Sequence, residues 1–423
     1  MKKTDRRRIE VFAHWSELAQ PTLMGTLYAI PGKGKEIFSF EYDSNWLKGK
    51  QSRRLDPLLG LYRGPQYTLD ERQNFGIFLD SSPDRWGRIL MQRREAFKAR
   101  ENRSKPKILN ESDYLLGVYD GHRMGALRFR TDPEGPFLND NNEQAAPPWA
   151  SLRELENACL QIEKDDADAN PKYGKWLKML IAPGSSLGGA RPKASVIDEK
   201  GHLWIAKFPS ASDEFDIGGW EKVVHQLAKS SKINVAVASS QCFSSRHHTY
   251  LNRRFDRTED GARLHFASAM TLLNHIDGDN ASTGVSYLEL VNFISKEGAN
   301  VTKDLEQLWR RIVFFICVSN VDDHLRNHGF MLHPKGWALS PAYDMNPSPT
   351  GDGLRLNISE TDNSQDFGLA LSVIEYFRIK RPQAEKTIRE VIEKVKNWRS
   401  IATVAGISNR EQERMKPAFR ETL

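Results

Sequence analysis

Residues 319–345 read SNVDDHLRNHGFMLHPKGWALSPAYDM, and the spacing of Asp322, Asn327 and Asp344 within this stretch is informative. Asp322 and Asn327 are five residues apart, and Asp344 follows seventeen residues later, behind a stretch that predicts a short hairpin. Transfer of a phosphoryl group to a hydroxyl needs one carboxylate to orient or deprotonate the acceptor. It also needs an amide oxygen and a second carboxylate to hold Mg²⁺. A D-x-x-x-x-N run followed by an Asp after a hairpin provides that set, so the stretch predicts a phosphotransfer site.

Bulk composition bounds the class of protein. At 423 residues the chain is long for a single core, so two or three lobes are expected. Its 39% hydrophobic and 27% charged residues are typical of a globular protein. No apolar run reaches about 18 residues, so no membrane span is expected. The basic start lacks the apolar core of a signal peptide. The cysteines Cys159, Cys242 and Cys317 stand in unrelated contexts, which indicates a reducing cytoplasm and no metal spacing. The net charge of +6 permits a polyanionic partner, but a slight surface excess of Lys and Arg explains it better.

The first 130 residues predict a small α+β domain. Runs of β-branched and aromatic residues, separated by breakers such as Pro31-Gly32, predict strands, and residues 70–100 predict a helical region. Residues 131–149, TDPEGPFLNDNNEQAAPPW, are rich in Pro, Asn, Asp and Glu and predict a surface linker. The strand predictions cover Ile9–Trp15, Thr26–Ile30 and Ile37–Tyr42.

A glycine-rich stretch opens the next part of the chain. Residues 183–193 read PGSSLGGARPK; glycines there would let backbone N–H groups approach phosphates, although the G-K-[ST] ending of a Walker A sequence is absent. Ala194–Ile197 and Leu203–Phe208 then predict a hairpin, and Lys207 shares one face of its second strand with apolar residues. Such a lysine is typical of a nucleotide cleft and equally of a sheet edge where the side chain reaches solvent.

The rest of the chain is largely helical by its periodicity. Residues 303–319, KDLEQLWRRIVFFICVS, place apolar side chains at helix spacing and predict a buried helix that leads into the 319–345 stretch. The charged tail from about Asn409 predicts a frayed end. The predicted domains are an α+β subdomain at 1–130, a linker at 131–149, a nucleotide-binding part at 150–257 and a helical lobe at 258–423.

The order of glycine stretch, lysine, base and metal ligands resembles that of the HipA-type serine/threonine kinases, the toxin kinases of bacterial toxin–antitoxin pairs. The resemblance implies an α+β, two-lobed protein-kinase-like fold, in which the N-terminal lobe is mixed with antiparallel strands and the C-terminal lobe is mostly helical. It implies ATP and Mg²⁺ as cofactors and a protein substrate such as an aminoacyl-tRNA synthetase. It also implies growth inhibition and a DNA-binding antitoxin as partner, whereas direct DNA contact by this chain is a weaker expectation.

The resemblance also implies roles for individual residues. It implies that the glycine stretch covers ATP, that Lys207 contacts phosphates, and that Ser186 stands at the autophosphorylation position. Residues 251–257, LNRRFDR, resemble the hinge between lobes, and Arg253 stands where an acidic residue is usual. With Asp322 as the base and Asn327 and Asp344 as Mg²⁺ ligands, the expected cofactor-binding residues are Gly188, Gly189, Lys193, Lys207, Arg253, Phe255, His324, Asn327, Tyr343 and Asp344.

The family pattern D-G-H-x-x-N is altered at one position of the central motif. Asp323 stands where glycine is usual, which adds a negative charge beside Asp322. His324 matches the family histidine, for which a structural or phosphate-side role is implied. Two other functions remain open from the residues alone. One is a metal-dependent hydrolase built on Asp322, His324 and Asp344, and the other is a catalytically weak or inactive member that acts as a partner-binding or DNA-associated regulator.

Overall fold

The chain divides into two units, and neither is one continuous segment. The first comprises residues up to 211 together with 256–267, and the second comprises 212–255 together with 268–423. These limits differ from the predicted domains, because residues 150–211 group with the N-terminal part of the chain and residues 212–255 with the C-terminal part. The computed structural model describes residues 6–69, 71–142, 145–181 and 189–422.

The first unit is organised by an antiparallel sheet of β1 (Arg7–Ala13), β2 (Thr22–Pro31), β3 (Glu36–Tyr42), β4 (Gln66–Tyr67) and β5 (Leu127–Arg130). Its strands are hydrogen-bonded in the order β4-β3-β2-β1-β5. Ile9, Val11 and Leu27 alternate along β1 and β2 and are fully buried, so one face of the sheet carries the core. At Gly25 a Cβ atom would come within 2.3 Å of the Glu41 carbonyl oxygen, so this close approach of β2 and β3 requires glycine.

Helices and a hairpin complete the first unit. The helix at residue 85 begins where the Asp84 carboxylate accepts a 2.8 Å hydrogen bond from the backbone N–H of Gly87, which is an N-cap. The elements are α1 (Ser44–Lys48), α2 (Gly76–Asp80), α3 (Arg85–Glu101), α4 (Glu111–Gly117), α5 (Leu152–Ile162), α6 (Tyr173–Ile181), β6 (Lys193–Ile197) and β7 (Leu203–Lys207).

The described part of 131–149, predicted as a linker, is tied to the first unit by hydrogen bonds. The buried guanidinium of Arg123 donates to the carbonyl oxygen of Leu138 at 2.8 Å and to three other carbonyls of the unit. The backbone N–H of Asp120 donates to the carbonyl of Asn139 at 2.8 Å. Burial lowers the pKa of Arg123 to about 10, and the four carbonyl acceptors offset part of its lost hydration. The segment lies at the surface, but it is an integral part of the unit and not a free linker.

The second unit is mostly helical. Its helices are α7 (Ile217–Ser230), α8 (Ala269–Leu272), α9 (Tyr287–Glu297), α10 (Val301–Val318), α11 (Phe367–Ser372), α12 (Arg381–Val395), α13 (Trp398–Val404) and α14 (Asn409–Met415). Its hairpins join β8 (Ala238–Gln241) to β9 (Thr249–Arg253) and β11 (Gly329–His333) to β12 (Gly336–Leu339), while β10 (Phe266–Ser268) lies at the boundary of the two units.

Helix α10 is the buried axis of this unit, as its apolar periodicity predicts. Residues from Ile312 to Val318 are all buried, and the helix ends at Ser319, whose φ of +47° is left-handed. The hairpin that follows turns at Gly336, where a Cβ atom would lie 2.3 Å from the Glu297 carbonyl oxygen. No helix in the described ranges is long and apolar enough to cross a membrane.

The C-terminal tail is packed, so the prediction of a frayed end from Asn409 was wrong. Phe419 is buried and stacks on Trp398, with ring centroids 4.4 Å apart and an interplanar angle of 7°. The backbone N–H of Arg420 donates to the carbonyl of Cys317 in α10 at 2.8 Å. The tail is charged in sequence, but its few apolar side chains are enough to anchor it in the core of the second unit.

Candidate active site

Lys193, the first of the two predicted phosphate-binding lysines, stands at the start of β6. It lies opposite Lys207 in the antiparallel pair β6–β7. Its ammonium donates to the Asp84 carboxylate at 2.8 Å and to the carbonyl oxygen of Gly189 at 2.9 Å. Only 2% of either charged side chain is exposed. This ammonium is therefore neutralised within the first unit.

The Lys193–Asp84 pair gives the glycine stretch a fixed end. Asp84 uses one carboxylate oxygen to cap α3 and the other to hold Lys193, so the hairpin start is joined to the helix start. Lys207 ends β7 and is half-buried, which suits a side chain with a polar role. Gly188 and Ser186 lie outside the described residues, so their predicted roles stay predictions, as does phosphate binding by Lys193 and Lys207.

The loop after α10 presents Asp322. The Asp322 carbonyl oxygen accepts from the backbone N–H of His324 at 2.9 Å and from the side-chain Nδ2 of Asn327 at 3.1 Å. A single 3₁₀ turn, Leu325–Asn327, follows. The Asp322 side chain is exposed, so its carboxylate can meet a substrate, and the Asn327 bond uses the amide nitrogen and leaves the amide oxygen as the atom suited to a cation.

Asp344 occupies a strained backbone conformation after the hairpin. Its φ is +56°, in the left-handed region that non-glycine residues rarely adopt. Asn346 donates through Nδ2 to the Asp344 carboxylate at 3.2 Å, and its backbone N–H donates to Oδ1 of Asn320 at 3.0 Å. The segment after the hairpin is thus bonded to the loop that carries Asp322. Strain of this kind is concentrated at functional sites.

Tyr343 joins the hinge prediction to the same loop. Its hydroxyl donates to the carbonyl oxygen of Arg326 at 2.7 Å, and its ring lies 5.5 Å from the ring of Phe255. Arg253 ends β9, where its backbone N–H donates to the Val237 carbonyl at 2.8 Å. The structure therefore brings Phe255 and Tyr343 together beside the loop that carries Asp322, as expected for parts of one site, while adenine binding there stays a prediction.

Asp323 points inward, where Asp322 points outward. Its side chain is buried and its Oδ2 accepts from the Tyr287 hydroxyl at 2.7 Å and faces Nε2 of His328 at 2.6 Å. Asp323 is not among the described non-glycine residues with positive φ, so the position does not need the glycine of the family pattern. Burial and the Asp323 charge together raise the pKa of the Tyr287 hydroxyl well above its usual value, so tyrosine remains a donor.

Arg311 brings positive charge to the same buried region. Its guanidinium lies in α10 and donates to the Ser340 carbonyl oxygen. Burial lowers the pKa of Arg311 to about 10, and the charges of Asp323 and Asp304 act against that shift. Asp304 in turn accepts from the backbone N–H of Leu339 at 3.0 Å. Charged residues of α10 therefore lie beside both the hairpin and the loop that carries Asp322.

The side-chain oxygens of Asn327 and Asp344 suit a cation that is also held by phosphates and water better than a metal held by protein side chains alone. Within the described ranges, no three His, Cys, Asp or Glu side chains form a group that could hold a metal ion. The hydrolase alternative built on Asp322, His324 and Asp344 stays a prediction. Mg²⁺ is usually held by one or two protein oxygens with substrate phosphates and waters, and Asn327 and Asp344 offer oxygens of that type.

Several residues of this region were not predicted. Asn346 stands two residues after Asp344, and a polar side chain so close to a candidate ligand was the one signal that could have found it. Asn320 and Tyr287 gave no such signal, because their contacts join segments 26 and 36 residues apart, and the buried contact of His328 with Asp323 is not visible in the local pattern. The unusual Asp-Asp pair was visible in the sequence, but the buried direction of the second carboxylate was not.

Comparison with known families gives this geometry a context. A family model described as the HipA-like C-terminal domain matches residues 185–399, which is more than half of the chain. The chain belongs to the HipA family. A curated relative from Haemophilus influenzae, named "Putative kinase", is 25% identical over 182 residues. That alignment covers 38% of this chain and 52% of the relative, so the chain spans about half the length of the curated protein that it matches.

Solved structures show the fold of this HipA-family chain. HipA of Shewanella oneidensis MR-1, in a toxin–antitoxin complex with HipB and operator DNA, is similar at a TM-score of 0.65 and 16% identity. The match covers 97% of this chain and 94% of that chain, and it confirms the predicted α+β, two-lobed kinase-like fold class. The proinflammatory kinase CtkA of Helicobacter pylori matches over 50% of this chain and 94% of its own, at 13% identity and a TM-score of 0.33, which is too slight to bear on the fold.

Proposed function

We propose that this HipA-family protein is an ATP- and Mg²⁺-dependent serine/threonine protein kinase. The observation that carries the proposal is the arrangement around residue 322. Asp322 is exposed, its backbone carbonyl is bonded to the Asn327 side chain at 3.1 Å, and Asp344 is held in a left-handed conformation after the hairpin. These are the three residue types that phosphoryl transfer to a hydroxyl requires.

In this mechanism Asp322 receives the proton of a serine or threonine hydroxyl. The hydroxyl oxygen bonds to the terminal phosphorus of ATP, and ADP leaves. Asn327 and Asp344 would hold Mg²⁺, which supplies positive charge beside the phosphates when it is bound. Lys207 and the glycine stretch would hold phosphates, while Phe255 and Tyr343 present aromatic surface for the nucleotide. The buried Lys193 would support the end of the glycine stretch through its hydrogen bond to the Gly189 carbonyl oxygen.

A comparison of phosphorylation sites tests the activity. The purified wild type and Asp322→Asn would each be incubated with ATP, Mg²⁺ and a bacterial extract, followed by mass-spectrometric mapping of phosphoserine and phosphothreonine. The proposal predicts new sites with the wild type only, with a translation-related protein such as an aminoacyl-tRNA synthetase among the substrates. The same sites in both reactions, or none in either, would contradict the kinase assignment.

A growth-inhibiting toxin with an antitoxin partner extends the proposal. Support comes from the fold match over 97% of the chain to a HipA that forms a complex with HipB and operator DNA. The test uses as partner the protein that co-purifies with the tagged chain from its source cells. Expression of the chain alone should arrest growth, co-expression of the partner should relieve the arrest, and the purified pair should bind duplex DNA that the chain alone binds weakly. Normal growth in both conditions would argue against the toxin role.

A further inference from the structure

We propose that Asp323 is a positioning residue of the catalytic loop, whose buried carboxylate fixes the direction in which Asp322 presents its own. This role rests on the proposed kinase function. The two residues are adjacent, but one side chain is buried at 1% exposure and the other is exposed. Because the two residues share a peptide bond, fixing the Asp323 side chain in the interior also fixes the direction in which the Asp322 side chain leaves the backbone.

The hydrogen bonds at Asp323 come from two separate segments. Tyr287, at the start of α9, donates to Oδ2 at 2.7 Å, and His328, directly before β11, meets the same oxygen at 2.6 Å. The rings of Tyr287 and His328 also meet edge-to-face, with centroids 5.8 Å apart. Each of the three side chains is thus fixed by the other two, and a glycine at position 323 could provide none of these bonds.

The support continues from the loop into the core of the second unit. Arg311 supplies positive charge near Asp323 and is bonded to the Ser340 carbonyl, and the backbone N–H of Ala269 donates to the carbonyl of His328 at 2.8 Å. A buried carboxylate that keeps its donors and an opposing charge has one favourable position, since any other leaves polar groups unpaired. Because Asp322 is the adjacent residue, the single favourable position of Asp323 also restricts the position of Asp322.

The test uses Tyr287→Phe, Asp323→Asn and the double variant, with Tyr376→Phe as control because the Tyr376 side chain is exposed on the same unit. Steady-state phosphorylation is measured beside hydrogen exchange of the peptide that covers 319–328. We expect kcat to fall about 10- to 100-fold in each single variant, as for partners that orient a site residue. The KM for ATP should change by less than about twofold, because nucleotide binding is not touched.

Hydrogen exchange gives a readout that does not depend on activity. In the single variants exchange should rise in 319–328 while the rest of the second unit stays protected, and the double variant should be no worse than Asp323→Asn alone. Wild-type exchange in 319–328 with wild-type kcat in both single variants would overturn the positioning role. If the wild type itself transfers no phosphate, the kinase proposal fails, and exchange alone decides whether Asp323 holds the loop.

Discussion

The side chain of Asn346 donates a hydrogen bond of 3.2 Å to the carboxylate of Asp344, a residue that itself has a φ of +56°. The backbone N–H of Asn346 donates in turn to Oδ1 of Asn320, in the loop that carries Asp322. Through its side chain and its backbone, Asn346 therefore links a candidate metal ligand to the segment that carries the candidate base. Partners of this kind orient ligands and tune their affinity for metal.

Replacing Asn346 should weaken the use of Mg²⁺. In Asn346→Ala the Asp344 carboxylate loses a donor, so the Mg²⁺ concentration that gives half-maximal phosphorylation should rise about tenfold. Kinetics over a Mg²⁺ series measure this. Asn292→Ala, an exposed position on α9, serves as the control and should follow the wild-type curve. An unchanged Mg²⁺ dependence in Asn346→Ala would show that the hydrogen bond does not orient the ligand.

The two lysines of the β6–β7 pair should respond differently to replacement by methionine. Lys193→Met leaves the Asp84 carboxylate buried without its partner and should cost about 3–5 kcal/mol in the free energy of unfolding. Lys207→Met should weaken ATP binding with a smaller loss of stability, because this side chain is only half-buried. Urea unfolding and calorimetric ATP titration measure the two effects.

A double variant controls for the buried charge. In Lys193→Met/Asp84→Asn both charges are gone, and asparagine still caps α3, so most of the lost stability should return. Equal stability of the single and double variants would mean that the pair matters only through its packing.

The packed tail makes a further prediction. Phe419→Ala removes a buried ring from its stack on Trp398 and should lower the free energy of unfolding by about 3–5 kcal/mol. Val404→Ala, at a side chain that is 85% exposed, should change it little. Thermal unfolding of the two variants is the measurement, and a near-wild-type midpoint for Phe419→Ala would restore the picture of a frayed end.

His265 should make the first unit sensitive to acid. Burial lowers its pKa from 6.5 to about 3, so between these values the unfolded chain binds a proton that the folded chain excludes. Stability should therefore be unaffected by this group above pH 6.5 and should fall as the pH drops from 6.5 towards 3. Urea unfolding across this range should show a shallower decline in His265→Asn than in the wild type. An unchanged decline in His265→Asn would show that this histidine does not cause the loss of stability.

Elements set by local pattern were predicted from the sequence with small errors in their ends. The helix expected at 303–319 is Val301–Val318, and the hairpin expected at 194–208 consists of Lys193–Ile197 and Leu203–Lys207. Apolar periodicity and turn residues are local signals, so they need no knowledge of the fold. Asp322, Asn327 and Asp344 were predicted as site residues in the same way, because their spacing within one stretch carries the information.

Relationships between distant segments could not be predicted. Lys193 and Asp84 are 109 residues apart, and Tyr287 and Asp323 are 36 apart, so nothing in either neighbourhood indicates the pair. For the same reason the tail was predicted to fray, since the aromatic residues that receive Phe419 come from earlier helices. The segment 131–149 was predicted as a linker from its composition, which does not show that Arg123 binds its backbone.

Transfer of label from γ-labelled ATP by the purified protein tests the central claim most directly. Wild type and Asp322→Asn would be incubated with Mg²⁺ and labelled ATP, the labelled residue would be mapped, and ATP binding would be measured by calorimetry. The account predicts label in the wild type only, on Ser185 or Ser186 in the glycine stretch, with ATP bound by both proteins. No label together with no ATP binding in the wild type would contradict it.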